Sequence, residues 1–146
     1  MLRIEKRTAP GSPLRSKALP VLEHGKLFTK MTMKTINDRD GACGFAANQL
    51  RMEGHAFLAL IDYKSWRFFA NAAIIDLSNK TVISTEGCLS LPAQEYEVER
   101  YKWVEIAYED ERGKKHREIF SGTNARIIQH ELDHLDGILI SDKGSK

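Results

Sequence analysis

The stretch Ser121-Gly122-Thr123-Asn124-Ala125-Arg126-Ile127-Ile128-Gln129-His130-Glu131-Leu132-Asp133-His134-Leu135-Asp136-Gly137 decides how this chain is read. Ser121, Thr123 and Asn124 are all suited to cap a helix N-terminus, because their side-chain oxygens accept from its free N–H groups. Ala125, Ile127, Ile128, Leu132, Leu135 and Ile138 then recur at helical period, and Gly137 suits the left-handed residue that ends a helix. The pattern predicts a helix over residues 124–136. His130 and His134 are four apart, so they share one face with about 5–6 Å between Cβ atoms. Two imidazoles so placed can converge on a metal at about 2.0–2.1 Å. Glu131 sits beside the first of them and can reach a water held there as general base. The plainer alternative is two histidines on a solvated face, with Glu131 and Asp133 as surface charges.

A metal on this helix needs a third protein ligand. In one large class of zinc proteases the motif continues to a glycine and a third histidine. Gly137 fits that extension, but the last position is Ile140. Of the residues after His134, only Asp136 and Asp142 could bind a metal, and Asp136 faces another side of the helix. The third ligand is therefore expected upstream, among His24, His55, His116, Cys43, Cys88 and the carboxylates. Cys88 has the best context, in Glu86-Gly87-Cys88-Leu89-Ser90-Leu91-Pro92 after a predicted strand, with Gly87 permitting close backbone approach. A thiolate with two imidazoles leaves one position open for water, although a buried free cysteine is also common. A third segment, residues 41–49 (GACGFAANQ), carries two glycines among small residues. It lacks the spacing of a dinucleotide fingerprint and by itself reads as a tight turn before a strand.

The rest of the chain sets bounds. With 146 residues it is expected to form a single domain, residues 1–146, with a core that needs no disulfide. Its composition, 42% hydrophobic and 29% charged, excludes a disordered chain, a collagen and a disulfide scaffold. A balance of 22 basic and 20 acidic residues gives no field that would predict nucleic acid or an anionic membrane as partner. The longest uncharged run is ten residues, residues 41–50, where a membrane span needs about 20. No apolar segment follows the basic N-terminus, so no signal peptide is read. Two cysteines without a secretion signal point to a reducing compartment and to the cytoplasm.

Leu14 to Leu19 suggests a turn of helix, and residues 26–37 a longer one that Gly41 stops. Strands are predicted at 57–61, 66–70 and 81–84. Val104, Ile106 and Tyr108 alternate with polar residues as in a half-buried strand. A hairpin turn over 109–113 and a returning strand over 114–120 follow. Helix, strands, then a C-terminal helix suggest an α+β fold with mostly antiparallel strands packed around the HExxH helix.

Three segments together resemble the peptide deformylases, metal enzymes that remove the formyl group from the N-terminal methionine of new polypeptides. That family carries G-φ-G-φ-A-A-x-Q, E-G-C-L-S and Q-H-E-x-D-H-L-x-G in this order. Gly44 to Gln49 matches all but the start of the first, Glu86 to Ser90 the second, and Gln129 to Gly137 the third. The opening Pro10, Pro13-Leu14-Arg15 and Pro20-Val21 is similar as well. The resemblance implies that Cys88, His130 and His134 bind one divalent metal, Fe²⁺ in cells with Zn²⁺ or Ni²⁺ as substitutes, in an oxygen-sensitive centre. It implies that Glu131 moves the proton, and that the Gln49 side chain and the Leu89 backbone N–H hold the oxygen that becomes negative. The substrate, an N-formylmethionyl nascent peptide, would lie extended beside Gly44. An apolar pocket lined in part by Cys43, Glu86, Ile127 and His130 would take the methionine side chain. Departures from the pattern are Ala42 for its first glycine, Cys43 between the glycines, Ala72 after Asn71, Glu95, and Arg126, a cation where an apolar residue is expected. Only Ser141 to Lys146 follow Ile140. This resembles shortened members such as those encoded by phages, so ribosome contact through a further helix is not expected. A monomer is. The competing readings are a small HExxH metallopeptidase and a protein whose metal is purely structural.

Overall fold

The computed structural model describes residues 17–145. The elements run α1 (His24–Thr35), β1 (Gly44–Ala46), a turn of 3-10 helix (Ala47–Leu50), β2 (Ala56–Ile61), β3 (Ser65–Leu77), β4 (Thr81–Cys88), β5 (Leu91–Tyr101), β6 (Trp103–Glu109), β7 (Lys115–Ser121), α2 (Gly122–Leu135) and α3 (Ile140–Lys143). Five strands form one sheet in the order β1-β2-β3-β6-β7, while β4 and β5 form a separate two-stranded sheet. Every strand pair is antiparallel. The expected α+β architecture around the last long helix is what the chain adopts.

β2 is apolar at successive positions because both of its faces are covered. Phe57, Ala59 and Ile61 join Phe69, Val104 and Ile106 in a core capped by Ile128, Leu132 and Leu135 of α2. Ala56 and Leu58 face the other way, into a core with Phe45, Phe68 and Met31 of α1. The sheet is therefore sandwiched between α1 and α2, and neither helix need be strongly apolar all round. A tight turn joins β2 to β3 with Asp62 at φ 55° and Tyr63 at φ 57°. These are the left-handed angles of a type I′ turn. Asn124 supports it, accepting from the Asp62 N–H at 2.9 Å and donating to its carboxylate at 2.7 Å.

That contact corrects one expectation. Asn124 and Thr123 spend their side chains on the β2–β3 turn, at Asp62 and Tyr63. α2 accordingly starts two residues before residue 124, at Gly122, without a side-chain cap. Its other end is as read: Gly137 has φ 77°. The Ile138 N–H reaches the Asp133 carbonyl at 2.8 Å and the Gly137 N–H that of His134 at 3.0 Å, the Schellman pattern.

The predicted strand at 66–70 is the first part of a much longer β3, which bulges at Asn71 (φ 50°) before pairing with β6. β5 was not expected. Its buried alternation is Tyr96, Val98, Arg100, and an arginine facing inward hides the period. β1 and α3 are additions too, and residues 41–49 lead into a strand and a helical turn. Residues 14–16 of the suggested first helix turn lie outside the described residues, as do Pro10 and Pro13; residues 17–20 have no regular structure.

Candidate active site

α2 brings the His130 and His134 rings to a centroid separation of 5.0 Å. Cys88, the last residue of β4, meets them from the hairpin, with its Sγ 3.3 Å from His134 Nε2. One donor atom from each of Cys88, His130 and His134 lies within 4.8 Å of the others. The register of β4 with β5 shifts between Gly87 and Cys88, and this irregularity turns the end of the hairpin toward the helix. Gly87 is not the close approach that its sequence suggests, because a Cβ there would stand 3.9 Å from the Gln94 carbonyl. Gly44 is. A Cβ on Gly44 would lie 2.5 Å from Glu131 Oε2 and 2.9 Å from its Cγ, so a side chain on β1 here would push the Glu131 carboxylate out of its place.

Glu131 is 4% exposed, and its Oε1 has no hydrogen-bond partner among the described residues. Burial, followed by the nearby Glu86 and Asp133 charges, raises its carboxyl to about 7 against the pull of His130 and Arg100. His134 is shifted well down, by burial and by His130. Burial also lowers His130, but hydrogen bonding to Cys88 and Glu86 outweighs it and carries the group to about 10. Gln49 sits on the 3-10 turn with its orientation determined at both ends. Its Oε1 accepts from the Ala46 N–H at 2.9 Å, and its Nε2 donates to Ser90 Oγ at 3.1 Å and points at Cys88 Sγ at 3.7 Å.

Behind the histidines lies a charged network. Glu86 accepts from His130 Nδ1 at 2.9 Å and from Arg100 Nη2 and Nε at 2.9 and 3.0 Å. Arg100 also bonds Asp133 on α2, and Arg126 pairs with Glu86 Oε2 at 2.9 Å. Burial alone would raise the Glu86 carboxyl; His130 and Arg100 reverse this and hold it at about 2. The pocket expected to be apolar around Glu86 is thus bounded by ion pairs. Sequence reasoning also missed Arg100, Ser90 and Asn48, whose Nδ2 donates to the His134 carbonyl at 2.6 Å. The inward alternation of residues 96, 98 and 100 was the available signal for Arg100; Asn48 had none.

All the site residues that the resemblance implies, except His134, which is 1% exposed, line one cleft of about 910 Å³. Leu89 lies on its rim, 44% exposed, and Cys43 is exposed beside Gly44. The other candidate ligands are elsewhere: His24 pairs with Glu109 and His116 with Asp110, while His55 lines a separate cavity. One thiolate and two imidazoles suit a single divalent metal. The buried, unpartnered Glu131 Oε1 beside them fits that reading. Among the described residues, no helix is long and apolar enough to cross a membrane.

A buried carboxyl group beside a metal donor set, with an amide aimed at the same point, is the arrangement of a metal-dependent hydrolase. The family model described as "Polypeptide deformylase" matches residues 2–146. A peptide deformylase of Rickettsia prowazekii is 37% identical over 149 residues, covering 92% of this chain and 83% of its own length. The crystal structure of peptide deformylase from Thermotoga maritima superposes with TM-score 0.88 at 31% identity, over 100% of this chain and 99% of that one. A probable peptide deformylase from Synechococcus phage S-SSM7 does so at TM-score 0.86 and 28% identity, covering 98% and 99%. The chain belongs to the polypeptide deformylase family, metal-dependent hydrolases that take the formyl group from new polypeptides.

Proposed function

We propose that residues 1–146 form one catalytic domain that hydrolyses the formamide of N-formylmethionyl nascent peptides and releases formate, acting as a monomer in the cytoplasm. The observation that carries this is the convergence of Cys88, His130 and His134 beside a buried, unpartnered Glu131. Cys88, His130 and His134 would hold one divalent metal, iron(II) in cells with zinc or nickel as substitutes. Bound there, it would activate water near neutral pH and polarise the formyl carbonyl.

The chain's own residues carry the remaining steps. Glu131, held near 7 by burial, takes a proton from the attacking water and passes it to the amine nitrogen as the C–N bond breaks. Gln49, held by Ala46 and Ser90, donates its amide to the formyl oxygen as that atom gains charge, and the Leu89 N–H does the same from the hairpin. β1 and the hairpin offer backbone edges to an extended peptide, which would lie between them as an added strand. Asn48 and Glu86 hold the helix and ring that carry the two imidazoles.

The test is formate release from a short N-formyl-Met peptide by protein purified without oxygen and loaded with Fe²⁺. Wild type should release formate. Glu131→Ala should keep its metal-to-protein ratio and lose turnover by about 10²–10⁴. Unchanged turnover in that variant would remove Glu131 from the mechanism.

A further inference from the structure

The cleft has two unlike ends. At one, α2 and β4 close it around Glu86, Ile127 and His130; at the other it opens between residues 41–44 and 92–95. Resting on the deformylase reading above, the formyl end of the peptide lies at Cys88 and Glu131, and the rest of the chain leaves through the opening. Charge is distributed unequally along this path. Glu86 is engaged by Arg100, Arg126 and His130, and Glu131 belongs to the chemistry. The remaining acid of the lining is Glu95. It is exposed, and its carboxylate has no ion pair or hydrogen bond among the described residues.

The register explains why. Side chains directly opposite each other on antiparallel strands are the ones that interact, and Glu95 stands opposite Gly87. Glu97 and Glu99 follow on the same face of β5, opposite Thr85 and Ile83, so this face of the hairpin offers Glu95 no base. Across the opening, Asp38 and Asp40 are exposed in the turn before Gly41. Arg39 between them is drawn back onto the Trp66 ring, 4.9 Å from its centroid, and onto the Thr35 hydroxyl. Both walls of the opening thus carry carboxylates. Successive Cα atoms are about 3.8 Å apart and those of a cross-strand pair about 5.5 Å, which puts the Glu95 backbone within roughly 9 Å of that of Cys88. An extended peptide advances about 3.3 Å per residue, so Glu95 stands about three residues along it. Side chains of a strand alternate: with the first turned into the cleft, the third faces the protein and the second faces away.

We propose that Glu95 makes this chain selective at the third residue of its formyl peptide, favouring lysine or arginine there over glutamate or aspartate. A cation at that position gains the partner that Gly87 cannot supply. An acid there meets Glu95 with Glu97 beside it. The contact is exposed, so it changes rates a few-fold rather than by orders of magnitude, and salt screens it. Glu95 is remote from the reacting atoms, so the effect belongs to binding and shows in KM rather than in kcat.

The experiment measures kcat and KM for formyl-Met-Ala-Lys-amide and formyl-Met-Ala-Glu-amide in wild type, Glu95→Gln, Glu95→Lys and Glu99→Gln, all loaded with Fe²⁺. The lysine-to-glutamate ratio of kcat/KM should be about five in wild type at low ionic strength. It should approach one at about 1 M salt, where the Debye length is about 3 Å. The ratio should fall toward one in Glu95→Gln, drop below one in Glu95→Lys, and hold in Glu99→Gln, whose carboxylate is turned to the Thr81 hydroxyl at 2.6 Å. Because each ratio is taken within one preparation, a variant that folds or loads poorly still reports it. A ratio unmoved by Glu95→Lys, or moved as far by Glu99→Gln, would overturn the assignment to Glu95 and leave the deformylase reading standing. No formate from either peptide, with the metal confirmed bound, would overturn both.

Discussion

The five-stranded sheet and the β4–β5 hairpin hold the two halves of the site by different forces. The sheet buries Phe57, Phe69, Ile106, Ile128 and Leu135 almost completely, and α2 rests on it through apolar packing. The hairpin has its own small cluster, Leu91, Tyr96, Val98, Leu139 and Ile140. It is tied to α2 mainly by charge: Arg100 to Glu86 and Asp133, Arg126 to Glu86 and to hairpin carbonyls. Glu131, His130 and His134 therefore sit on the apolar part, and Cys88 and Glu86 on the part held by ion pairs. Apolar packing is non-directional and forgiving of small shifts. Buried ion pairs are directional and costly to break. The site needs both, a stable platform and a bolt that sets where the thiolate meets the imidazoles.

The largest test of this contrast is Arg100→Ala. It leaves Glu86 and Asp133 buried beside a missing cation and should cost about 3–5 kcal/mol. Hydrogen exchange should show β4 and β5 amides losing protection while β2 keeps its own. Uniform loss across both sheets would erase the distinction. Next is Gln49→Leu, which removes an amide shared by the two parts, accepting from Ala46 on the sheet and donating to Ser90 beside the hairpin. Turnover should drop by about 10²–10³, and the loss of two buried hydrogen bonds should lower the thermal midpoint as well; an effect confined to KM would remove Gln49 from the oxyanion site.

The smallest effect is in mild acid. Glu86 is depressed from 4.5 to about 2, so its contribution is complete above about 4.5. Protonation removes it as pH falls toward 2. Denaturation midpoints should slip slightly at pH 4 and more steeply below, and Glu86→Gln should flatten that part of the curve. A wild-type curve as flat as the variant's would show that the ion pairs do not hold the hairpin.

Legibility along the chain follows the same division. α2 was readable because its apolar period is unbroken and Gly137 ends it. β2 was readable because a strand covered on both faces is apolar throughout. β5 was harder to read: Tyr96 and Val98 alternate with Glu95, Glu97 and Glu99, but the next inward residue is Arg100, a charge that breaks the apolar period. The N-cap expectation failed at Asn124 because its side chain found a better-placed partner in Asp62, 62 residues away in sequence. Gly44 was noticed as a glycine among small residues, but its reason, the carboxylate of Glu131 across the cleft, belongs to another element.

The sequence by itself determined the chemical identities: two imidazoles and a carboxylate on one helix face, a thiol in a short motif, an amide on a turn. Helical geometry places residues four apart on one side whatever surrounds them, so that much needed no tertiary information. Only the tertiary structure decided which upstream donor completes the group, why Gly44 is small, and that Arg126 is tied to the carbonyls of the hairpin. Those depend on groups distant in sequence meeting in a desolvated space, where charges must find partners and a single methyl would displace a carboxylate.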